Sequence, residues 1–337
     1  AKNYSRPEIE TESLYRTDNL PQDSISMADV SWRDLFNDQQ LTSYIQEGLK
    51  NNIDIRIALQ NVIAAEAYVK QGKAGYYPTL SGTASFTRTK NSQNSQFGSF
   101  FTRPLEQYEL SGALSWEADV WGKIRSNKRA FGAVYLQSVS AHQAVKTNLI
   151  ASIASTYYQL LALDKQLKVS KQTLEARKNS LETTVALKEA GQVTEVAVKQ
   201  TEAQVHTTEI IVIDLENNIK LLENTFSILL GETPQQIERG SLDNQTIDTE
   251  LSTGVPYLLL ANRPDVMQAE YSLINAFELT NVAKSSLYPS LSLSASGGFQ
   301  SLEFDNWLDA SSLFSSLIGS LTQPIFNGRR LRTQMEV

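Results

Sequence analysis

The chain has 337 residues, enough for two ordinary domains, and 41% of them are hydrophobic, so a sizeable core can be buried. Its 37 acidic and 30 basic residues leave a formal charge of -7, which argues against nucleic acid, whose binders need a basic face. The absence of cysteine removes disulfides, thiolate metal sites and thiol nucleophiles, and no run approaches the ~20 consecutive apolar residues of a membrane-spanning helix. Any bilayer contact must come from strands or a lipid anchor.

The sequence opens at Ala1 rather than at a methionine, which reads as a processed or trimmed N-terminus. Residues 1–31, with Pro7 and Pro21, read as an extended polar arm, and 32–49 as a short amphipathic region lying on a surface. Residues 54–75 are alanine-rich and helical in pattern, and stop at Tyr76-Tyr77-Pro78, where proline disfavours helix before it. A period of two follows. Thr79, Ser81, Thr83, Ser85, Thr87 and Thr89 share one parity; Leu80, Gly82, Ala84 and Phe86 share the other, the pattern of a strand with one wet and one apolar face. After a polar loop at 91–104, Leu110, Gly112, Leu114 and Trp116 alternate with Ser111, Ala113, Ser115 and Glu117, so a second strand returns.

From Lys123 no proline occurs until Pro234, and the pattern between them is helical. At about 1.5 Å per residue, 123–190 would form a rod of roughly 100 Å if unbroken. Leu160, Leu167, Leu174 and Leu181 fall seven apart; on the return so do Val198, Val205, Val212, Ile219 and Phe226. Thr201, Thr208, Leu215, Leu222 and Leu229 lie three residues after each of these, which completes an a/d seam. Between the two helices, Gly191 suits a helix end and Thr194 a helix start, so the hairpin tip is expected there. The hairpin closes at Leu229-Leu230-Gly231-Glu232-Thr233-Pro234, ahead of a polar connection to about Val255.

The chain repeats itself. An offset of 211 aligns Asp54 with Asp265, Ala58 with Ala269, Ile63 with Ile274, Lys73 with Lys284 and Tyr77-Pro78 with Tyr288-Pro289, without a gap. Ser290, Ser292, Ser294 and Ser296 then alternate with Leu291, Leu293, Ala295 and Gly297, and 313–322 supplies a fourth strand. Each half therefore reads as helix, strand, loop, strand and helical hairpin. The second hairpin would only be starting at Val337, so the sequence reads as incomplete by on the order of a hundred residues.

Hydroxylated and aliphatic strand faces fit a transmembrane barrel with a wet lumen, and four strands fall short of the ~8 of the smallest such barrels, so the barrel would be shared between subunits. A soluble sandwich alternates in the same way; the coupling to a long heptad hairpin favours the barrel. The segments Tyr4-Ser5-Arg6-Pro7, Tyr76-Tyr77-Pro78-Thr79-Leu80, Leu114 to Arg125, Ala190-Gly191-Gln192-Val193-Thr194, Leu229 to Pro234, Arg263-Pro264-Asp265-Val266 and Gln323-Pro324-Ile325-Phe326-Asn327-Gly328 together resemble the outer-membrane factor family, the TolC-like and NodT-like efflux channel lipoproteins of tripartite pumps.

The resemblance implies a mixed, mainly α fold: a long antiparallel coiled-coil hairpin plus four barrel strands per protomer, in two internal repeats. Its parts would be an N-terminal arm and equatorial region (1–53), a first helix (54–75), a barrel hairpin (76–121) and the periplasmic helical hairpin (122–230). An equatorial connection (231–262), a second first-helix (263–286), a second barrel hairpin (287–326) and the start of a second helical hairpin (327–337) would follow. It further implies a homotrimer with a twelve-strand barrel in the bacterial outer membrane, a periplasmic helical part, and a lipid-bearing cysteine that normally lies just before the Tyr4-Ser5-Arg6-Pro7 segment and would be missing from this sequence. The partners would be a periplasmic adaptor, an inner-membrane pump and outer-membrane lipid. The tip residues Ala190, Gly191, Gln192, Val193 and Thr194 would meet the adaptor, although a cap is required there in any helical hairpin. Tyr77, Trp116, Trp121 and Tyr288 flank the strands and suit an interfacial aromatic girdle, a place that ordinary packing also fills.

No enzyme, cofactor or metal site is expected. The only histidines, His142 and His206, lie in predicted helices, and no phosphate-cradling loop or nucleophile elbow occurs. Arg125, Lys128 and Arg129 read as helix-surface charges. The function expected is passive conduction of substrates across the outer membrane. The alternative is a non-channel periplasmic coiled-coil scaffold or adaptor, which the duplicated serine-alternating strands disfavour.

Overall fold

The computed structural model describes residues 2–7, 31–96, 98, 103–246 and 262–337. Most of the N-terminal arm, part of the 91–104 loop and the end of the connection to Val255 lie outside the described residues. The elements are α1 (Trp32–Leu35), α2 (Gln39–Asn51), α3 (Ile53–Ala74), β1 (Thr79–Thr89), β2 (Leu105–Ala118), α4 (Lys123–Glu189), α5 (Glu195–Leu230), α6 (Pro264–Ser285), β3 (Ser290–Ser301), β4 (Leu313–Thr322) and α7 (Arg330–Glu336). No helix among the described residues is long and apolar enough to cross a membrane. The chain forms two compact units.

One unit holds residues 2–7 with Ile63–Gln137 and Ala269–Val337. Its sheet is an antiparallel meander in the order β1-β2-β3-β4. Each predicted hairpin forms, and β2 pairs with β3 from Tyr108↔Ser301 to Ala118↔Leu291, joining the two repeats. β2 begins five residues before the predicted strand at Leu110, because Glu106 and Tyr108 continue the alternation opposite Arg88 and Phe86. Around the sheet's helices the packing residues are small: Ala65, Ser126, Ala130, Ala133 and Ala283 are buried. Gly72 lies so close to Phe131 that an added Cβ would fall 2.7 Å from the ring, and Tyr68 stacks on the same ring at 5.9 Å.

Residues 2–6 are strapped along α6. The Lys2 amide donates to Asn281 and the Asn281 amide returns to the Lys2 carbonyl (3.0 Å); Tyr4 meets Phe277 edge-on; Arg6 grips Glu270 with two bonds of 2.6 Å. Arg129, expected on the surface, instead pairs with Glu278 (2.9 Å), which is 3% exposed, and donates to the Asn3 side chain. Glu278 could not be buried without that cation.

The other unit holds the described parts of Ile9–Val62 and Ser138–Gln268. Within it, α5 and the matching length of α4 form the antiparallel hairpin. The a positions Val198, Val205, Val212, Ile219 and Phe226 are all buried. Rungs cross at Lys171–Glu216 (2.7 Å) and Lys178–Glu209 (3.5 Å), one heptad apart on both helices, and Arg177 reaches the Gln204 carbonyl and the Thr208 hydroxyl. Lys171 holds Glu216 below the usual carboxylate range, yet such exposed pairs set register more than stability.

The region 32–49, read as lying on a surface, packs into the core of this unit. Leu41 and Ile45 are fully buried with Ile153, Tyr157, Leu160, Phe226 and Leu230. The polar face of α2 carries the surface character, and its apolar face contributes Leu41 and Ile45 to this core, with Tyr44 and Leu49 packed against it. Gly231 closes α5 at φ 76°, a left-handed cap, and its amide and that of Glu232 bond back to the last turn. Asn51 O would lie 2.6 Å from a Cβ there, so only glycine fits. Asn52 caps α3 through the amides of Asp54 and Ile55 while donating to the Leu229 carbonyl.

Asp38 caps α2 and receives four donors: the Gln40 and Leu41 amides, the Tyr157 hydroxyl (2.9 Å) and the Gln245 side chain (2.8 Å). Burial pushes its pKa up, but the bonds from Leu41, Gln245, Tyr157 and Gln40 outweigh that and hold it below 3.8. A carboxyl lowered by folding contributes stability above its unfolded pKa, and that stability is lost as pH falls through the folded value. Asp38→Asn, which keeps a capping oxygen, is therefore expected to flatten the loss of thermal stability below about pH 4; melts of wild type and variant with equal acid slopes would refute this.

Candidate functional site: a two-faced sheet and a glycine tip

Register fixes which side chains share a face, because residues directly opposite in a sheet point the same way. On one face, Leu80, Ala84 and Phe86 of β1 lie opposite Leu114, Leu110 and Tyr108 of β2. The same face continues through Leu293, Ala295 and Phe299 of β3 to Leu313, Leu317 and Leu321 of β4. The other face carries the hydroxyls of Thr79, Ser81, Thr83, Ser85 and Thr87, then Ser111 and Ser115, then Ser292, Ser294 and Ser296, then Ser316 and Ser320. The separation has exceptions: Phe314 and Ile318 lie on the hydroxyl face and Ser315 on the apolar one. Several hydroxyls bond within the sheet, as Ser292 does with Ser320 (2.7 Å) and Thr79 with the Ser115 carbonyl (3.2 Å).

The apolar face is bare. Leu80 is 78% exposed, Leu317 and Leu321 are 71% exposed, and no second layer among the described residues covers them. A soluble sandwich would bury this face, so the exposure separates the two readings that alternation alone left open.

Both ends of the apolar face carry aromatic rings. At the end next to the helices, Trp121 stacks on Tyr288 at 4.9 Å and donates to the Pro289 carbonyl (2.8 Å), and the Trp116 indole donates to the Tyr76 carbonyl (3.0 Å). Tyr77 is exposed beside them. Three of the four expected girdle residues thus have a geometric relation to one end of the sheet through ring or backbone contacts, and Tyr77 stands two residues before β1.

The opposite end was not foreseen. Phe86 meets Tyr108 at 5.0 Å, and Phe304 and Trp307 from the β3–β4 loop close on Tyr108 at 5.3 and 6.1 Å. Just beyond them the same face ends in the ion pair Arg88–Glu106 (3.6 Å). From Tyr108 to Trp116 is about 27 Å along β2 at 3.4 Å per residue. With the usual 35–45° tilt of a membrane strand this is roughly 20 Å across the bilayer, comparable with the ~25 Å apolar band of outer-membrane barrels. Extending the β2 parity to Tyr108 would have revealed this second belt in the sequence.

At the other candidate site, α4 ends at Glu189 and Gly191 adopts φ 73°, with the Gly191 and Gln192 amides bonding to the Lys188 and Leu187 carbonyls. Thr194 takes the N-cap position of α5, but its side chain makes no capping bond, a correction to its expected role. Lys188 pairs with Glu195 across the turn, and its ammonium holds that glutamate below the ordinary carboxylate range. Ala190, Gly191, Gln192 and Thr194 are exposed and Val193 half-buried; a side chain at 191 would meet open space. Among the described residues no group of acids and histidines is placed to hold a metal ion.

Comparison with known proteins agrees with this geometry. The chain is 29% identical over 317 residues to the solvent efflux pump outer membrane protein SrpC of Pseudomonas putida, covering 94% of this chain and 67% of SrpC. It is 24% identical to the cation efflux system protein CusC of Escherichia coli, across 100% of this chain and 73% of CusC. Among solved structures, the outer-membrane channel OprN aligns with a TM-score of 0.85 at 25% identity, covering 99% of this chain and 75% of OprN. A Campylobacter jejuni CmeC outer membrane channel aligns at 0.82 and 22%, covering 99% and 72%. The chain spans about two thirds of the length of the curated relatives it matches. The model of the outer membrane efflux protein family matches residues 44–232 and 255–337, most of the chain, and with the two-faced sheet and heptad hairpin already in place the chain belongs to that family, one of efflux channels rather than enzymes.

Proposed function

We propose that the chain is the outer-membrane channel subunit of a tripartite efflux system, a passive conduit for substrates that an inner-membrane pump delivers through a periplasmic adaptor. The bare, belted apolar face of a four-stranded sheet carries this reading, because such a face is stable in lipid and costly in water. β1 and β4 are long edge strands with open backbone groups on one side, and a lipid bilayer has no water to satisfy them, so the sheet must close with others. Three protomers of four strands make a closed twelve-strand barrel. Its hydroxyl face then lines a wet lumen, and Tyr77, Trp116, Trp121 and Tyr288 form the periplasmic-side girdle opposite the Tyr108 belt.

The strap supports a lipid anchor. Lys2 lies at Asn281, one turn from the end of α6 that leads into β3, so a lipidated residue preceding it would sit at the strand end of its unit, where the bilayer begins. The exposed tip at Ala190, Gly191, Gln192, Val193 and Thr194 is the adaptor contact. Solvent and cation pumps both occur among the relatives' names, which supports a duct whose cargo is chosen by the pump.

The test is planar-bilayer conductance of the full-length gene product from outer membranes, with adaptor pull-down of wild type and Gly191→Asp. Aspartate tolerates the left-handed backbone better than most residues, and it adds a charge at the docking surface. Conducting trimers that lose at least about tenfold in adaptor affinity, ~1.4 kcal/mol, are expected. A protein that does not conduct, with partners unchanged by the variant, would turn the reading to a coiled-coil scaffold.

A further inference from the structure

We infer that Glu109 sets the ion preference of the conduit and makes it favour cations; the inference rests on the channel reading above. On the hydroxyl face of all four strands the only ionisable side chains are Glu109 and Glu117, both on β2, and no lysine or arginine faces the same way. Glu117 is neutralised by the Lys123 ammonium at 2.9 and 3.1 Å. Glu109 has no cation among the described residues; it accepts a bond from the Ser111 hydroxyl at 2.7 Å, which fixes the carboxylate in place and leaves its charge whole. The other charges of the strand pair, Arg88 and Glu106, belong to the apolar face and pair with each other.

Each protomer thus offers the lumen one uncompensated negative charge on a wall of neutral hydroxyls. A three-fold barrel repeats it three times at one height, and a ring of carboxylates raises the local concentration of cations and lowers that of anions. The reach of that field is the Debye length, about 10 Å at 0.1 M salt and about 30 Å at 0.01 M. The preference must therefore strengthen as salt is diluted. Neutral gating or lumen narrowing would show no such dependence.

The experiment measures zero-current potential across planar bilayers holding the full-length protein in a potassium chloride gradient. Glu109→Gln keeps the size of the side chain and the bond to Ser111; Glu106→Gln removes the same charge from the same strand on the opposite face. The wild type is expected to pass cations over anions by at least about twofold at 0.1 M, and more at 0.01 M. Glu109→Gln should bring the ratio close to unity at both, Glu109→Lys should invert it, and Glu106→Gln should leave it unchanged. A ratio that Glu109→Gln does not move, or that Glu106→Gln moves equally, overturns the assignment while the channel stands. A wild-type protein that conducts nothing would remove the channel reading itself, and this inference with it.

Discussion

Leu114→Arg is expected to reduce the amount of folded protein in the outer membrane severely, whereas Ser115→Arg, one residue on, is expected to assemble. Leu114 lies on the apolar face between Leu80 and Ala295, and Ser115 on the hydroxyl face between Thr79 and Ser294. An arginine facing lipid near the middle of a bilayer costs a barrel about 2–4 kcal/mol per copy, and a trimer would bear it three times. The same side chain in a wet lumen keeps its hydration and costs little. Heat-modifiable mobility and outer-membrane yield of the two variants compare the faces directly. Equal yields would mean that the face assignment is wrong, and the reverse ranking would place the serines in lipid.

The second large effect lies in the other unit. Arg239 donates to both carboxylate oxygens of Asp164 (2.5 and 2.9 Å), to Glu223 (2.6 Å) and to the Ile237 carbonyl (2.8 Å). Its bonds to Asp164 hold it even more firmly protonated than usual. Glu223 is 9% exposed. Arg239→Met would strand that carboxylate, and breaking a buried pair from one side costs about 3–5 kcal/mol. Because Asp164 remains partly in water, the lower end of that range is expected. Adding Glu223→Leu should recover most of the loss, since the stranded charge leaves with it. Thermal unfolding of the single and double variants checks both statements; a loss below about 1 kcal/mol for Arg239→Met would show the cluster to be screened like a surface pair.

Much of this architecture was legible because its periods are physical. The serine–leucine alternation of β3 and the heptads of α5 each repeat at the spacing their geometry imposes, and in α5 burial follows the a positions one by one. Gly191 announced a helix end, and it adopts a left-handed cap there, as Gly231 does at the close of α5. The repeat at 211 residues located β3 before any strand pairing was known. What stayed hidden depended on contacts far apart in sequence. Arg239 reads as one more polar loop residue until Asp164 and Glu223 are brought beside it, and Arg129 reads as a surface charge until Glu278 arrives. Likewise α2 looked superficial because only half of its face is polar, and its partners Ile153 and Phe226 lie a hundred residues and more away. The Tyr108 belt escaped because an acidic residue on each side of the tyrosine masks its strand.

The strap has a consequence in time. Arg6 finds Glu270 across a separation of 264 residues, and the contacts of Lys2 and Tyr4 with α6 span comparable lengths of chain. Loop-closure entropy rises only slowly with length, so the final structure loses little by this arrangement. The rate is another matter: contacts of such high order form late, after the segment has waited for α6 to be synthesised. Residues 2–7 would then lock late among the described parts of their unit, and the strap would mark a chain in which α6 is already in place.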